Sequence, residues 1–228
     1  MYRIIFSPLL LLISLQLFSQ EGNFSAPDYG KMRLQVFDNT SPYFYPKLFE
    51  RYQSGDTSLT VEDFRFLYYG YTFQSKYIPY QPSRYQAKMI AYMKKGTLTE
   101  NELNEFIKMA ELNLNDLPFD IRTLNILAYS YKQKNDSILY HIAFFKKNMI
   151  IRAIKSSGNG LTEKAAFHII DPSHEFDFLN EMGLQNAGSN DMTTGLCDYL
   201  IVQHNDLNIQ GYYFNISRIL NVKAERNQ

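Results

Sequence analysis

The sequence predicts an α+β fold in which a helical N-terminal region precedes a small antiparallel β-sheet. Three observations lead to this prediction. Apolar residues recur at helical spacing from about residue 25 to about residue 156. A break rich in serine and glycine, residues 156–160, then ends the helical pattern. Beyond the break, segments rich in tyrosine, isoleucine, valine and phenylalanine have the shorter period of strands.

The first residues have the features of a secretory signal peptide. Arg3 is the only charged residue before Glu21, and a mostly apolar run extends from Ile4 to Phe18. A membrane-spanning helix needs roughly 20 apolar residues, and this run is shorter. We therefore predict export and cleavage, and the alternative is a retained N-terminal membrane anchor.

Cleavage after residue 19 divides the chain into three regions. Residues 1–19 form the signal peptide, residues 20–156 the helical region, and residues 157–228 an α+β C-terminal region that packs with the helices as one domain. No cysteine lies near the cleavage site, which argues against a lipid anchor. The predicted location is periplasmic or extracellular.

Local signals mark the helices of the helical region. Two capping boxes precede apolar residues at helical spacing, and they consist of Thr60 with Asp63 and of Thr99 with Glu102. At residues 94–96 two lysines precede a glycine, which is typical of a helix end. A longer helix is predicted over residues 137–155.

One pair of helices resembles a tetratricopeptide repeat. That pattern places a large residue, a leucine, a small residue and an aromatic residue at fixed helical spacing in the first helix. These positions are filled by Leu124, Leu127, Ala128 and Tyr131, and Phe144 falls where the second helix carries its aromatic residue. Tyr140 occupies the position expected for alanine, so an amphipathic helical hairpin that is not a repeat is the alternative.

The C-terminal region is predicted to contain strands and one short helix. The helix is opened by Pro172 and Ser173 and extends to Met182. The predicted strands are residues 165–171, 184–192, 197–204 and 209–217, and the last two pair as a β-hairpin. From Lys223 the tail is polar and is expected to be frayed.

The charge balance excludes two classes of partner. The chain has 23 basic and 23 acidic residues, and signal cleavage removes one basic residue, Arg3. Because there is no basic excess and no polybasic stretch, we expect no nucleic-acid partner and no binding to an anionic membrane surface. The mature chain has no apolar run suited to an integral membrane segment and no cofactor motif, so no cofactor is predicted.

Aromatic residues are concentrated between Tyr43 and Tyr85. One helix buries only three or four residues per two turns, so it cannot bury all of them. Tyrosine offers a large contact area and a hydroxyl group, which suits recognition of a sugar or a peptide. The predicted binding residues are Tyr68, Tyr69, Tyr71, Tyr77 and Tyr80, and at least one of the first three is expected near the surface. The alternative is that tyrosine packs the core of a chain without tryptophan.

A second set of candidate residues lies in the C-terminal region. His168, Asp171, His174, Glu175 and Asp177 are close in sequence, as the residues of an acid–base or metal site often are. Their spacing matches no compact metal motif, and on a strand Asp171 points away from His168. The structural alternative is a strand followed by a short helix with acidic residues in its first turn. A metal site with His168, His174 and Glu175 as ligands is therefore the weaker hypothesis.

Several short blocks of the sequence are distinctive, among them SPYFYPKL at residues 41–48 and FRFLYYGY at residues 64–71. The other blocks are residues 55–60, 118–120, 156–160, 197–200 and 211–218. Together they resemble a family of exported bacterial proteins, the domain of unknown function family 4919. The resemblance spans nearly the whole mature chain and implies an envelope or secreted setting in a bacterium of the Bacteroidota kind. It implies no activity and carries over no catalytic residue.

These observations lead to two alternative functions. Pairs of helices present a groove in which a partner segment binds, and the tyrosine surplus favours recognition. We therefore predict a non-catalytic interaction module of the bacterial envelope, with an envelope protein or peptide as its partner. The alternative is a hydrolase-like enzyme with a site around His168–Asp177.

Overall fold

The computed structural model describes residues 24–190 and 195–226. The predicted signal peptide, residues 1–19, lies outside the described residues. Within them the chain forms nine α-helices, mainly N-terminal, and a four-stranded sheet near the C-terminus, which confirms the α+β class. No helix of this described part is long and apolar enough to cross a membrane.

Seven α-helices precede the sheet. They are α1 (Tyr29–Phe37), α2 (Tyr45–Gln53), α3 (Val61–Gly70), α4 (Gln86–Lys95), α5 (Glu100–Asp116), α6 (Ile121–Gln133) and α7 (Ser137–Lys155). The C-terminal part contains β1 (Phe167–His168), α8 (Ser173–Glu181), β2 (Asn186–Asn190), β3 (Cys197–Val202), β4 (Gly211–Asn215) and α9 (Ser217–Arg226). Two short 3-10 helices, Tyr71–Phe73 and Glu163–Ala165, follow α3 and precede β1.

Local hydrogen bonds explain where several helices begin and end. In both predicted capping boxes the threonine hydroxyl accepts from the backbone N–H three residues on, and that residue's carboxylate accepts from the backbone N–H of the threonine. α4 ends at Lys95, and the following Gly96 has a φ of 76°, which glycine adopts without steric cost. The helix predicted over residues 137–155 is α7.

The sheet is mixed, with the strand order β1-β4-β3-β2. The predicted hairpin is present, because β3 and β4 pair antiparallel, and β2 adds antiparallel to β3. The prediction of an antiparallel sheet is wrong for β1, which pairs parallel with β4. β1 has only two residues, so its sequence pattern does not indicate whether it pairs parallel or antiparallel. The loop of residues 156–166, which contains Gly158 and Gly160, leads the chain into the sheet. The N–H of Tyr213 in β4 donates to the carbonyl of Gly160 in that loop at 2.8 Å.

The prediction of a last strand to residue 217 and a frayed tail is wrong, because α9 follows β4 directly. The Asn215 side chain accepts from the N–H of Ser217 at 3.1 Å, which turns the chain into the helix. Ile219 and Val222 are buried, so α9 has an apolar face that packs on the core. The buried Arg218 donates to the hydroxyl and to the carbonyl of Thr72, and these bonds fix α9 to the 3-10 helix that follows α3.

The main core contains buried side chains from both the helical and the C-terminal region, from Met32 to Val222. α3 is its most enclosed helix, since residues 64–70 are all buried. A smaller core lies between α4, α5, α6 and α7, and it includes Met89, Phe106 and Leu127.

The tetratricopeptide-like pairing is not confirmed. α6 and α7 form a helical hairpin, and the first-helix residues of the pattern, Leu124, Leu127, Ala128 and Tyr131, are buried. The aromatic expected in the second helix, Phe144, is 40% exposed and stacks on Tyr140. Because Ala143 fills the buried position beside it, the hairpin packs without the second-helix contact of the repeat.

Candidate functional site

Four of the five predicted binding tyrosines lie in the core. Tyr68 and Tyr69 are 0% exposed, Tyr77 is 4% and Tyr71 is 8% exposed, whereas Tyr80 is 45% exposed. The expectation that one of the first three lies near the surface is wrong, because α1, α2 and α7 all pack against α3. Tyr71 and Tyr77 nevertheless form part of the wall of an open groove.

The hydroxyl groups explain why buried positions here carry tyrosine. Tyr69 donates to the carbonyl of His168 at 3.1 Å, and Tyr77 donates to the carbonyl of Ile170 at 2.7 Å. Both bonds join the tyrosine-rich segment to β1 and the residues that follow it. A buried hydroxyl must find such a partner, so the aromatic block positions the C-terminal region as well as filling the core.

The groove lies between α4, the segment of residues 77–83, α6 and α8, and we call it the α4–α8 groove. Its volume is about 260 Å³. Its apolar lining consists mainly of Tyr71, Tyr77, Ile78, Met89, Ile90, Met93, Phe119 and Ile126. Ile78 is 48% exposed and Met93 is 52% exposed, so part of this apolar wall is open to water.

The lining also includes four charged residues and a histidine, and we call these five its polar end: Asp120, Arg122, Asp171, His174 and Asp177. His174 and Asp177 are three residues apart on α8, so both lie on one face of that helix. The Nε and Nη2 atoms of Arg122 donate to Oδ1 of Asp177 at 3.1 and 2.9 Å. Oδ2 of Asp177 is buried and has no hydrogen-bond partner among the described residues.

His174 and the backbone N–H of Ile170 share one hydrogen-bond partner, the hydroxyl of Tyr68. The hydroxyl oxygen of Tyr68 accepts from the N–H of Ile170 at 3.2 Å and lies 2.7 Å from Nδ1 of His174. A hydroxyl group has one hydrogen and two lone pairs, so it can donate to an unprotonated Nδ1 or accept from Nδ1–H. In both cases Nδ1 of His174 is bonded within the core, and Nε2 is the ring nitrogen without a bond to another described residue.

Substituting Tyr68→Phe is expected to lower the free energy of unfolding by about 2 kcal/mol. The change keeps the ring but leaves the N–H of Ile170 and Nδ1 of His174 without their common partner in a buried site. Equilibrium urea unfolding measures the loss. The matched control is Tyr129→Phe on α6, because Tyr129 is 63% exposed, and it is expected to change stability little. Equal stability of the two variants would contradict this assignment.

The metal hypothesis for His168, His174 and Glu175 is not supported. Among the described residues, no group of three or more His, Cys, Asp or Glu side chains is placed to hold a metal ion. The His168 ring lies beside Tyr29, with the ring centroids 6.2 Å apart, whereas His174 bonds to Tyr68. The two histidines are close in sequence but do not form one site, because the side chain of His168 on β1 and that of His174 on α8 contact different residues.

Two of these residues have strongly shifted pKa values. Burial, assisted by the charge of Arg65, lowers the pKa of His168 to about 4. Burial, followed by the charge of and a hydrogen bond with Asp198, raises the pKa of Glu175 to about 9. Both side chains are therefore neutral at pH 7, and Oε1 of Glu175 and Nδ1 of His168 have no partner among the described residues.

A second cavity of about 320 Å³ lies between α2, α5, α6 and α7. Lys146 lines it, with Nζ 4.6 Å from the centroid of the Tyr52 ring. Burial lowers the pKa of the Lys146 amine to about 8. The amine also donates to the carbonyl of Gln53 at 3.5 Å but to no carboxylate among the described residues, whereas Lys147 bonds to the carboxylate of Glu181.

The sequence patterns indicated some residues of the groove but not others. His174 and Asp177 were candidates, but as members of an acid–base or metal cluster with His168. Arg122 was not a candidate, because an isolated arginine on a helix has no distinguishing pattern. One signal for the groove is present in the sequence of α4. Met89, Ile90 and Met93 are more apolar residues than one narrow buried stripe of a helix requires, so part of this apolar surface is expected to be exposed.

Comparisons with known proteins show one relationship, to a protein family. The family model described as "Domain of unknown function (DUF4919)" matches residues 30–225. No curated protein and no solved structure matches the chain. The family match spans all nine helices and all four strands of the described residues except for the first residue of α1 and the last of α9. The chain therefore belongs to the family DUF4919, as the resemblance of its sequence blocks implied.

Proposed function

We propose that the protein is a non-catalytic binding module of the bacterial envelope that holds a peptide segment of a partner protein in the α4–α8 groove. The observation that carries this proposal is the open apolar wall of the groove opposite its polar end. Export rests on the features of residues 1–19, a basic start followed by a short apolar run.

The exposed wall of the groove favours a peptide over an enclosed small molecule. Pockets that bury a small molecule enclose most of its surface. In this groove of about 260 Å³, Ile78, Ile90 and Met93 are 41–52% exposed, which suits one or two anchoring side chains of a longer segment.

The chemistry of the lining also suits a peptide. Ile90 and Met93 on α4 offer apolar contact, and methionine adapts its shape to different side chains. The half-exposed guanidinium of Arg122 is a donor and the carboxylate of Asp171 is an acceptor, so the polar end matches the two hydrogen-bonding groups of a peptide unit.

Substituting Met93→Asp is expected to weaken peptide binding on the order of tenfold, because it places a charge in the apolar wall. The probes are fluorescent, N-acetylated octapeptide pools with one central position fixed as Leu, Phe or Met, and a pool with Gly fixed there. Fluorescence anisotropy measures binding to residues 20–228. Met93 is half-exposed, so the variant is expected to fold normally.

The matched control is Ile138→Asp, since Ile138 on α7 is 72% exposed and does not line the groove. It is expected to bind the apolar pools as the wild type does. The proposal is wrong if the wild type binds no apolar pool better than the Gly pool. It is also wrong if Met93→Asp and Ile138→Asp bind equally well.

A further inference from the structure

The charges that line the α4–α8 groove are unbalanced. Three aspartates, Asp120, Asp171 and Asp177, and one arginine, Arg122, are the charged side chains of its lining. These three aspartates outnumber Arg122 and His174 taken together. The polar end is therefore net negative, and a bound group of positive charge complements it.

The three aspartates are not equally available to a ligand. Asp120 caps α6, and its two oxygens accept from Asn113 and from the N–H and hydroxyl of Thr123. One oxygen of Asp171 accepts from the N–H and the hydroxyl of Ser173 at 2.8 and 2.6 Å. Asp177 has one oxygen, Oδ2, without any partner among the described residues.

Asp177 is the aspartate of the polar end whose negative charge is least compensated by hydrogen bonds and water. It is 6% exposed, so water compensates its charge poorly. Arg122 approaches only Oδ1, and the arginine side chain is 50% exposed. Burial raises the pKa of the Asp177 carboxyl, and Arg122 and His174 offset that effect only in part. An additional cation in the groove beside this carboxylate would complete the compensation.

We propose that the polar end of the α4–α8 groove receives a lysine or arginine side chain of the bound peptide, which faces the carboxylates of Asp171 and Asp177. This inference rests on the proposed function and names the class of peptide: an apolar residue anchored against Met93 with a basic residue beside it. The apolar wall lies along α4 and the acidic groups lie on and before α8, so the two side chains enter opposite sides of one groove.

The test compares four N-acetylated octapeptide pools that carry a fixed Leu followed by Lys, Arg, Gln or Glu. Acetylation removes the terminal amine as a second source of positive charge. The wild type is expected to bind the Lys and Arg pools on the order of tenfold more tightly than the Gln pool, and the Glu pool least. This preference is expected to shrink as the salt concentration rises.

Asp177→Asn is expected to abolish the preference for Lys and Arg over Gln while the Gln pool still binds. The matched control is Asp206→Asn, because Asp206 is an exposed aspartate of the β3–β4 loop and does not line the groove. Asp171→Asn, at a less buried position, is expected to reduce the preference in part. It keeps the proposal testable if Asp177→Asn is too unstable to study.

The outcomes separate this inference from the proposed function. Equal binding of the Lys, Arg and Gln pools by the wild type overturns the basic-residue inference and leaves the binding function standing. A preference that survives in Asp177→Asn and in Asp171→Asn overturns it as well. Failure of every Leu-containing pool to bind overturns both proposals.

Discussion

Substituting Glu175→Gln is expected to raise the free energy of unfolding at pH 8 by about 3 kcal/mol. Glu175 on α8 is 4% exposed, and Oε1 has no partner among the described residues. Burial, together with the nearby carboxyls of Asp198 and Asp171, raises its pKa from the ordinary value of 4.5 to about 9. Glutamine keeps the shape and a hydrogen-bond donor, but it requires no proton.

The direction of the pH dependence follows from the raised pKa. Between pH 4.5 and pH 9 folded Glu175 holds a proton that the unfolded chain releases. Its contribution to stability is therefore fully present below about pH 4.5 and is lost as the pH rises toward 9, by at most about 1.4 kcal/mol per pH unit. Removal of the carboxyl is expected to flatten this decline.

His168 acts in the opposite direction at lower pH. Its pKa is lowered from 6.5 to about 4, so its contribution is present above pH 6.5 and is lost as the pH falls toward 4. Between about pH 4.5 and 6.5 the two effects oppose each other. We therefore expect the wild type to be most stable in that range and to lose stability steadily above pH 6.5.

Urea unfolding at half-unit pH intervals from 5 to 9 measures these slopes for the wild type and for Glu175→Gln. The matched control is Glu50→Gln on α2, because Glu50 is exposed and its removal is expected to leave the slope unchanged. If Glu175→Gln loses stability above pH 6.5 as steeply as the wild type, Glu175 is not the group responsible.

Substituting Gly158→Ala is expected to lower the free energy of unfolding by at least about 3 kcal/mol. A Cβ atom at Gly158 would lie 2.3 Å from the carbonyl oxygen of Ala165 and 2.4 Å from that of Ala166. Both are backbone atoms, so no side-chain rotation relieves the contact. The loop would have to open, which breaks the bonds from the N–H groups of Asn159 and Gly160 to the Ala165 carbonyl.

Gly183→Ala separates this close approach from ordinary glycine strain. Gly183 has a φ of 70°, but nothing lies within 4 Å of its added Cβ. It is therefore expected to lose only about 1–2 kcal/mol, the cost of the left-handed conformation. Thermal and urea unfolding compare the two variants. If Gly158→Ala is as stable as Gly183→Ala, the close packing of residues 158–166 is wrong.

The elements that the sequence located correctly are those fixed by neighbouring residues. Thr60 and Asp63, three residues apart, form hydrogen bonds with each other at the start of α3. Gly96 follows the last residue of α4 and adopts the positive φ that ends the helix. The β3–β4 hairpin joins strands that are close in sequence. Such features depend on hydrogen bonds and turn conformations that a short window of sequence contains.

The candidate site was predicted less well because its parts come from distant segments. α4 supplies Met93, α6 supplies Arg122, and α8 supplies His174 and Asp177. No spacing within the sequence brings these residues together. The aromatic-rich segment between Tyr43 and Tyr85 does contribute to the groove, since Tyr71 and Tyr77 line it. Sequence patterns, however, do not distinguish a buried tyrosine from an exposed one.

The α+β class, the capped helix starts, the break at residues 156–160 and the family could all be predicted from sequence patterns. The burial of Tyr68, the parallel pairing of β1 with β4 and the groove with an acidic end become visible in the folded chain alone. The physical reason is the range of the interactions. Caps and turns act over a few residues, whereas the bond between Tyr68 and His174 joins residues 106 positions apart.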